Sequence, residues 1–511
     1  MKLKIFLPAL SALLLILSFP DFNFEFLAWI AFVPLFFAIE GKKPAAAFMI
    51  SYFSGLIFFF GTIYWLIHVT LPGMIIVVFY LALYFGLFGL ICRSCLEKAK
   101  SYILLLVIPS SWAALELIRS HFITGFGWNL LGYSQSFTLP AIQIADLVGA
   151  YGVSFLIMLV NIAIFLTIKE LREKNYYLKI LMIAILVVFI SIWYGTIRVR
   201  NVFTGEKFRI AVVQGNIAQV KKWDPSFRSD ILNKYERLTR EAALKHPELI
   251  IWPETSVPGF MESEPELFGR VSALAKEIKT PLLVGAPRED PEKKDAYYNS
   301  AIFINADGLV GGRYDKSHLV PFGEYVPLRA LLSFVENFAP SPIGDFSSGK
   351  SYTVFDFFIK RTIKEKDRTL RLVKKIRFST LICFEDIFPD IARRFVAGGA
   401  GLLVNMTNDA WFGKTCAAYQ HAQSSVFRAV ENRVNVIRAA NTGVSCFIDQ
   451  RGEIVNEVVA GNESLFVEGY AIQDIVITKT RTFYNVYGDV FAYICVLIML
   501  GSIFIISGGK K

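Results

Sequence analysis

The stretch STLICFEDIFPD, residues 379–390, joins the end of a strand-like segment to a chemically reactive residue. Its first half is a short apolar run typical of a buried strand. The run leads to Cys383, after which the sequence turns acidic at Glu385, Asp386 and Asp390. Open α/β sheets collect functional side chains where their strands end. The stretch therefore predicts an α/β domain with Cys383 at the rim of a sheet.

The same alternation extends over residues 208–470. Strand-like segments occupy 208–215, 247–254, 280–287, 299–308, 378–386, 401–409 and 434–449. Segments with helical spacing occupy 225–245, 262–278, 387–396 and 416–434. Several strand-like runs are too continuously apolar to have a solvated face, so we expect sheets covered by helices. The charged residues 359–377 are expected to form a solvated β-hairpin, with contact to lipid head groups as the alternative.

The composition requires a membrane portion. Of the 511 residues 54% are hydrophobic, and the mean hydropathy is +0.48, which is too apolar for an ordinary soluble enzyme. Eight stretches have the length and the near absence of charge that membrane spans require. They lie at about 5–20, 24–39, 45–67, 72–92, 101–118, 148–168, 178–196 and 485–507.

Charges in the short loops predict the orientation of these spans. With a cytoplasmic N-terminus, thirteen Lys and Arg residues lie on the cytoplasmic side, and the short loops on the other side hold only Arg119. The positive-inside rule favours this arrangement, so the basic net charge of +10 indicates topology rather than nucleic-acid binding. The thirteen are Lys2, Lys4, Lys42, Lys43, Arg93, Lys98, Lys100, Lys169, Arg172, Lys174, Lys179, Lys510 and Lys511.

The spans divide the chain into three predicted parts. Residues 1–199 form a membrane domain with seven spans, residues 200–484 form a catalytic domain outside the cytoplasm, and residues 485–511 form the last span and a cytoplasmic tail. The apolar loop at 122–142 lies on the outer side, where it is expected to border a lipid-accessible mouth or to form an interfacial re-entrant segment.

Two segments of the outer domain supply charged groups suited to acyl transfer. Glu254, in LIIWPETS, directly follows a strand-like run, where a carboxylate is costly unless it faces a cleft. It is a candidate general base, with a capping or salt-bridge role as the alternative. Lys316 and Glu324 lie in GGRYDKSHLVPFGEYVP, 311–327. Lys316 is suited to stabilise an oxyanion and Glu324 to hold its ammonium, although a surface pair is also possible.

Cys383 is the candidate nucleophile. A thiol attacks as the thiolate, and a neighbouring base and cation lower its pKa. The backbone N–H of Phe384 is suited to be a second oxyanion donor. Together, the base, the cation and the thiol indicate acyl transfer far more specifically than any one of them does.

Three motifs in this order resemble the catalytic motifs of the nitrilase, or carbon–nitrogen hydrolase, superfamily: WPE with Glu254, YDKSHLVPFGE with Lys316 and LICFEDIFPD with Cys383. NMTNDAWFG (405–413) and NTGVSCFIDQRGEI (441–454) extend the likeness. Because membrane spans flank this domain, the whole chain is similar to the apolipoprotein N-acyltransferase family. The resemblance implies a four-layer αββα sandwich carried by an eight-helix membrane bundle.

The resemblance also implies a two-step reaction without a cofactor. Cys383 would take an acyl chain from a phospholipid as a thioester, and the α-amino group of the diacylglyceryl-modified cysteine of an apolipoprotein would accept it as an amide. Glu254 would be the base in both steps. The implied location is the bacterial inner membrane, with the catalytic domain on the periplasmic side. We expect a monomer without a metal, since the five histidines lack ligand spacing.

The resemblance also implies roles for supporting residues at positions that match the motifs of the family. Glu324 resembles the glutamate that steadies the lysine, and Glu385 follows the nucleophile as in the family. Trp223 and Trp411 correspond to aromatic residues associated with substrate entry, with plain packing as the alternative. Position 384 is Phe where Tyr is common, which leaves a backbone donor unaffected.

Two other functions remain compatible with the sequence. A membrane-anchored amidase or nitrilase would use the same residues but pass the acyl group to water. A transporter or binding protein would use the outer domain to capture a ligand, and charged residues inside the spans would favour it. The predicted spans hold few, among them Glu116 and Asp489 near their ends.

Overall fold

The computed structural model describes residues 6–172, 178–290, 292–293, 296–325, 346–365, 368–477 and 481–508, without the side chains of 172, 360–372 and 506–508. Contacts within the chain define two compact units. Unit 1 comprises Met1–Asn201, Tyr419–Glu431 and Thr482–Lys511, and unit 2 comprises Val202–Ala418 and Asn432–Arg481. The three-part division at 199 and 484 stays a prediction.

Unit 1 is helical. Its helices are α1 (Leu7–Leu17), α2 (Val33–Ile39), α3 (Pro44–Thr62), α4 (Leu71–Lys98), α5 (Ser101–His121), α6 (Leu139–Ile142), α7 (Ala145–Arg172) and α8 (Leu178–Arg200), and near the C-terminus α14 (Phe483–Tyr487) and α15 (Val490–Gly508). Proline at the first or second position begins several of them, including α3 and α4, where its fixed φ suits the first turn. Gly149, with φ of 68°, bends α7 near its start.

Five helices of the described chain are long and apolar enough to cross a membrane. They are Pro44–Thr62, Leu71–Lys98, Ser101–His121, Ala145–Leu171 and Leu178–Arg200. The other three predicted spans correspond to shorter apolar helices at Leu7–Leu17, Glu25–Ile39 and Val490–Ile505.

The predicted count of eight spans is therefore not confirmed. At a rise of about 1.5 Å per residue, a helix as short as Leu7–Leu17 covers about 17 Å of a hydrocarbon core about 30 Å thick. The second predicted span is divided into a 3₁₀ turn, Glu25–Trp29, and the short α2. Of the basic residues that predicted the orientation, Lys2, Lys4, Lys174, Lys510 and Lys511 lie outside the described residues.

A buried amide in unit 1 joins two tryptophans. Oε1 of Gln420 accepts hydrogen bonds from Nε1 of Trp65 at 3.1 Å and Nε1 of Trp128 at 2.8 Å, and its Nε2 donates to the carbonyl of Thr62 at 2.9 Å. Trp128 belongs to the loop 122–142 and is only 2% exposed. The middle of this loop is therefore packed inside unit 1, and its lipid contact stays a prediction.

Unit 2 contains two six-stranded sheets. The strands are β1 (Lys207–Gln214), β2 (Leu249–Ile251), β3 (Leu282–Glu289), β4 (Tyr297–Ile304), β5 (Val310–Asp315), β6 (Phe355–Glu365), β7 (Arg368–Ile382), β8 (Leu402–Thr407), β9 (Asn435–Ala440), β10 (Cys446–Ile448), β11 (Ile454–Glu457) and β12 (Gly469–Val476). The first sheet has the order β12-β1-β2-β3-β4-β5 and the second β11-β10-β9-β8-β7-β6. In each sheet the three central strands, β1-β2-β3 or β7-β8-β9, are parallel.

Each predicted strand segment contains a strand, and the last of them, 434–449, contains both β9 and β10. Strands β5, β11 and β12 were not predicted, because their mixed burial gives them a weaker apolar pattern than β8, which is buried throughout. The charged segment 359–377 is the predicted hairpin, since β6 pairs with β7 in antiparallel register from Phe355 to Glu365.

The two sheets face each other across a core of aromatic side chains. The ring of Phe303 on β4 lies 5.6 Å from that of Phe378 on β7 and 6.0 Å from that of Phe357 on β6. The four predicted helical segments contain α10 (Arg228–Ala243), α11 (Pro265–Ile278), α12 (Pro389–Ala397) and α13 (Ala417–Asn432), most of which belongs to unit 1. The short α9 (Gln219–Lys222) was not predicted. Residues of α10 and α11 share a buried cluster with the first sheet, and α12 contacts the second. These layers fit the predicted sandwich.

Candidate active site

The three predicted catalytic residues each follow the end of a strand. Glu254 comes three residues after β2, Lys316 directly follows β5, and Cys383 directly follows β7. Their exposed fractions are 7%, 1% and 9%. Buried ionisable groups must be paired or hydrogen-bonded to be stable, so their contacts indicate what the site can do.

Lys316 lies between two carboxylates. Its Nζ is 2.9 Å from Oε2 of Glu324 and 3.6 Å from Oε1 of Glu254. The amide of Asn299, on β4, joins the same two acids, because its Nδ2 donates to Oε1 of Glu254 at 2.7 Å and to Oε1 of Glu324 at 2.9 Å. The structure thus brings Glu254, Lys316 and Glu324 together as predicted from the sequence, while their chemical roles stay predictions.

The ammonium of Lys316 is held in its charged form. Burial by itself disfavours the charge, but the carboxylates of Glu324 and Glu254, with a further contribution from Cys383, outweigh it and raise the pKa of Lys316 above its ordinary value. A permanently charged lysine is suited to stabilise negative charge that develops next to it.

Cys383 begins the 3₁₀ turn Cys383–Ile387 with φ of 52°. This left-handed conformation is uncommon for a residue with a side chain and often marks a functional position. The amide of Asn405, on the neighbouring β8, donates to the carbonyl of Cys383 at 3.0 Å. The turn therefore ends β7 sharply and holds the cysteine at the edge of the sheet.

The pKa of the Cys383 thiol is raised, whereas the sequence predicted a lowered pKa. Burial raises its pKa well above the ordinary value, and the charges of Glu254 and Asp409 add to the rise. Lys316 and a hydrogen bond with Thr407 oppose it but do not outweigh burial. The resting thiol is therefore protonated, and a base must accept its proton as it attacks.

Glu385 ties the nucleophile turn to the segment that carries the lysine. Its Oε1 accepts hydrogen bonds from the Tyr314 hydroxyl at 2.7 Å, the Ser317 N–H at 2.7 Å, the Ser317 hydroxyl at 2.8 Å and the His318 N–H at 3.0 Å. Its Oε2 accepts from the Ile382 N–H at 2.8 Å. Burial raises the pKa of Glu385. This carboxyl group therefore links the ends of β5 and β7.

Three predicted aromatic residues have contrasting surroundings. Phe384 belongs to a ring cluster, with centroids 5.9 Å from His318 and 5.1 Å from Phe388. Trp223 directly follows α9 and is 50% exposed, and Trp411 lies in the 3₁₀ turn Asp409–Phe412 and is 38% exposed. Their exposure is compatible with substrate contact, and both roles stay predictions.

Some residues of the site were missed by the sequence reasoning. Asn299 is an amide inside the apolar strand NSAIF, and Arg438 is a charge inside the apolar strand VNVIRAA. Arg438 is fully buried and its Nη1 lies 2.8 Å from Oδ2 of Asp386. Lys222 is also buried, and its Nζ donates to the carbonyl of Glu254 at 2.9 Å. Asn299 and Arg438 could have been recognised as polar residues within buried strands. No local sequence feature indicated that Lys222 would be buried.

Within the residues that the structure describes, no group of three or more His, Cys, Asp or Glu side chains is arranged to hold a metal ion. The site contains the Cys383 thiol, the Glu254 carboxylate and Lys316, which is paired with Glu324 and lies close to Glu254. That set is chemically sufficient for acyl transfer through a covalent intermediate.

Two family models match the chain. Residues 209–484 match the family model described as Carbon-nitrogen hydrolase, so unit 2 contains a domain of that class. Residues 11–163 match the model described as Apolipoprotein N-acyltransferase N-terminal domain.

Relatives cover nearly the whole chain. The apolipoprotein N-acyltransferase of Geobacter metallireducens is 42% identical over 95% of this chain and 92% of its own length. That of Chlorobaculum tepidum is 31% identical over 96% of this chain and 94% of its own. The solved structure of Saccharomyces cerevisiae Nit3, a member of the nitrilase superfamily, covers 53% of this chain and 90% of its own, at 20% identity and a TM-score of 0.39. The chain belongs to the apolipoprotein N-acyltransferase family.

Proposed function

We propose that this N-acyltransferase moves an acyl chain from a phospholipid, through a thioester on Cys383, to the α-amino group of the diacylglyceryl-cysteine of apolipoproteins. Membership of the family supports the overall reaction. The observation that carries the mechanism is the placement of Lys316 between Glu254 and Glu324, in a site where the charge of Lys316 also acts on the Cys383 thiol.

In the first step Sγ of Cys383 attacks the ester carbonyl of the phospholipid while the carboxylate of Glu254 accepts the thiol proton. The new carbon–sulfur bond converts the carbonyl oxygen into an oxyanion, which the ammonium of Lys316 and the N–H of Phe384 stabilise. When the intermediate collapses, the carbon–oxygen ester bond breaks. Glu254 returns the proton to the departing oxygen, so lysophospholipid leaves and the thioester remains.

In the second step the neutral amine of the lipoprotein cysteine attacks the thioester carbonyl. Glu254 accepts a proton from the nitrogen, the same donors stabilise the oxyanion, and the carbon–sulfur bond breaks. The proton on Glu254 then returns to the sulfur of Cys383. The product is an amide, and the enzyme is restored. Water must be kept from the thioester during this cycle.

Supporting residues have distinct proposed tasks. Glu324 and Asn299 hold Lys316 and Glu254 in place, and Glu385 fixes the nucleophile turn. Trp223 and Trp411 are proposed to contact the substrates, because large exposed aromatic side chains are suited to lipid and peptide binding. Trp223 follows Lys222, which contacts Glu254, and Trp411 lies in the turn that begins at Asp409.

The proposed placement is a bacterial inner membrane crossed by eight spans. Residues 1–199 supply seven, residues 485–511 the eighth and the cytoplasmic tail, and residues 200–484 the periplasmic catalytic domain. The five long apolar helices support a membrane protein, and the charge distribution of the loops supports the orientation. A monomer without a cofactor is sufficient for the steps above.

Intact-protein mass spectrometry of the purified enzyme tests the proposal, with Cys383→Ser as the control. After incubation with phospholipid we expect a hydroxylamine-sensitive acyl adduct on Cys383, and after addition of a diacylated lipopeptide we expect the adduct to move to the peptide amine. Discharge to water alone would instead indicate an amidase or nitrilase. Absence of an adduct from folded protein would remove Cys383 from the chemistry.

A further inference from the structure

Lys222 is a buried cation beside the proposed base. It ends the short helix α9 and is 2% exposed, and its Nζ donates to the backbone carbonyl of Glu254 at 2.9 Å. The preceding residue, Lys221, is exposed, with Nζ 5.0 Å from the ring centroid of Phe227. Two adjacent lysines therefore have opposite surroundings, and only the buried one contacts the site.

The charges of the site explain why a second cation is needed. Glu254 and Glu324 carry two negative charges against the single positive charge of Lys316. The excess negative charge persists when the thiol proton passes to Glu254, because the Cys383 thiolate then replaces the Glu254 carboxylate. A buried charge without compensation is strongly destabilising. Asp409 also acts on the Cys383 thiol, and the ammonium of Lys222 offsets part of this negative charge in both states.

The helix that carries Lys222 is fixed from two sides. Nδ2 of Asn408 donates to Oε1 of Gln219 at 2.8 Å. The amide of Asn441 clamps the backbone just before α9, accepting from the Ile217 N–H at 2.9 Å and donating to the Ile217 carbonyl at 2.7 Å. Nδ2 of Asn441 also donates to Oδ1 of Asn408 at 2.9 Å. The position of Lys222 is thus determined by residues that follow β8 and β9.

We propose that Lys222 is a positioning residue for the transfer reaction: its ammonium fixes the backbone of Glu254 and supplies the positive charge that, with Lys316, stabilises the Cys383 thiolate. This inference rests on the proposed function, since it assigns a task within the same site.

The ionisation of Lys222 agrees with this role. Burial lowers its pKa to about 8, and the charges of Glu254 and Cys383 limit the fall. At neutral pH most of the population therefore carries the charge. The same two groups act on Lys316, and Asp409 additionally acts on Cys383.

The test measures the reactivity of the thiol without any lipid substrate. The full-length enzyme is treated with iodoacetamide from about pH 6 to about pH 9, and peptide mass spectrometry gives the rate of alkylation at Cys383. Lys222→Met removes both the hydrogen bond and the charge, whereas Lys222→Gln keeps a donor but removes the charge. Lys222→Arg keeps the charge, and Lys221→Met is the matched control.

We expect Lys222→Met and Lys222→Gln to slow alkylation of Cys383 about tenfold at about pH 6 to 7, because loss of a nearby cation raises the pKa of a thiol. The difference should shrink towards about pH 9, where Lys222, with its pKa of about 8, is mostly neutral in the unmodified enzyme. Lys221→Met should react like the unmodified enzyme, and Lys222→Arg should react faster than Lys222→Met. Equal rates in Lys222→Met, Lys222→Gln and Lys221→Met would overturn the proposal. Equal rates in Lys222→Arg and Lys222→Met would assign the loss to packing and overturn the electrostatic role.

Two further measurements distinguish a folding defect and a failure of the proposed function from a failure of this inference. Thermal unfolding shows whether each variant is folded. If Lys222→Met is not folded, the alkylation rates of Lys222→Gln and Lys222→Arg decide whether the charge of Lys222 matters. Failure of the unmodified enzyme to form an acyl adduct would contradict the proposed function, whereas the alkylation rates would still report on Lys222 and Cys383.

Discussion

The ammonium of Lys316 lies 3.6 Å from the carboxylate of Glu254 and 2.9 Å from that of Glu324. The longer distance is outside the normal range of a hydrogen bond, so Glu254 is oriented instead by the amide of Asn299 at 2.7 Å. Lys316 and Glu254 therefore influence each other by charge, while a neutral amide sets the direction of the Glu254 carboxylate. This arrangement leaves the carboxylate of Glu254 able to accept a proton.

Substitution Glu254→Gln is expected to have opposite effects on two reactions of Cys383. The carboxylate raises the pKa of the thiol, so its removal lowers that pKa and increases the thiolate fraction at neutral pH. Alkylation by iodoacetamide should become about three- to tenfold faster. Acyl transfer to a lipopeptide should fall at least about 100-fold, since the proposed base is lost. The exposed Glu266→Gln is the control, and slower alkylation in Glu254→Gln would contradict the charge assignment.

The pH dependence of Cys383 follows from its raised pKa. A thiol reacts as the thiolate, and at neutral pH a group with a raised pKa has less thiolate than an ordinary cysteine. Alkylation of Cys383 should therefore be slower than that of an exposed cysteine peptide at about pH 7. It should rise about tenfold per pH unit up to about pH 8, and less steeply above that, where Lys222 loses its charge. A plateau near neutral pH would show that the resting nucleophile is already ionised.

Replacing Glu324 by Gln is expected to weaken oxyanion stabilisation. The change removes the charge-assisted contact of 2.9 Å that holds Lys316, and such contacts contribute about 1.5–3 kcal/mol. Formation of the acyl adduct in a single turnover should slow about 10- to 100-fold. Glu277→Gln, at an exposed surface pair with Arg240, should leave the rate unchanged. Similar rates in both variants would leave Glu324 without a role in the first step.

Glu385→Gln is expected to destabilise unit 2. The carboxylate accepts all of its hydrogen bonds from N–H and O–H donors, and a glutamine would point an NH₂ group at one set of them. Leaving buried donors unpaired costs about 1–3 kcal/mol each, so the midpoint of thermal unfolding should fall by several degrees. The exposed Glu463→Gln, which loses only a surface pair with Lys414, should not shift it. Equal unfolding midpoints in Glu385→Gln and the unmodified enzyme would show that the hydrogen bonds of Glu385 do not stabilise unit 2.

Trp223→Ala is expected to affect substrate binding rather than chemistry. The side chain is half exposed, so its loss removes apolar contact area without unpairing a buried group. KM for phospholipid or lipopeptide should rise about tenfold or more, while alkylation of Cys383 should be unchanged. Leu244→Ala, at another exposed apolar side chain of unit 2, serves as the control. An unchanged KM would favour plain packing.

The candidate site was predictable because its main residues belong to short motifs at strand ends. Glu254 and Cys383 each follow a run whose apolar pattern marks a strand, whereas Lys316 follows the weakly apolar β5 and was indicated by its motif. The ends of strands in α/β folds meet at one edge. The hairpin at 359–377 was predictable for a similar reason, since its pairing is between neighbours in sequence. The number of membrane-crossing helices was less predictable, because hydropathy does not show where a helix is interrupted, as between Glu25–Trp29 and Val33–Ile39.

The sequence by itself determined the apolar helices and the strand-rich domain, because these depend on local composition and periodicity, and its motifs gave the order of Glu254, Lys316 and Cys383. Only the tertiary structure decided which charges share the buried site. Lys222 and Asn299 reach Glu254 from distant parts of the chain, and residues 419–431 of α13 group with the helices of unit 1. Burial then reversed the expected direction of the Cys383 pKa. Desolvation and pairing depend on which groups surround a side chain in three dimensions, and a local motif does not contain that information.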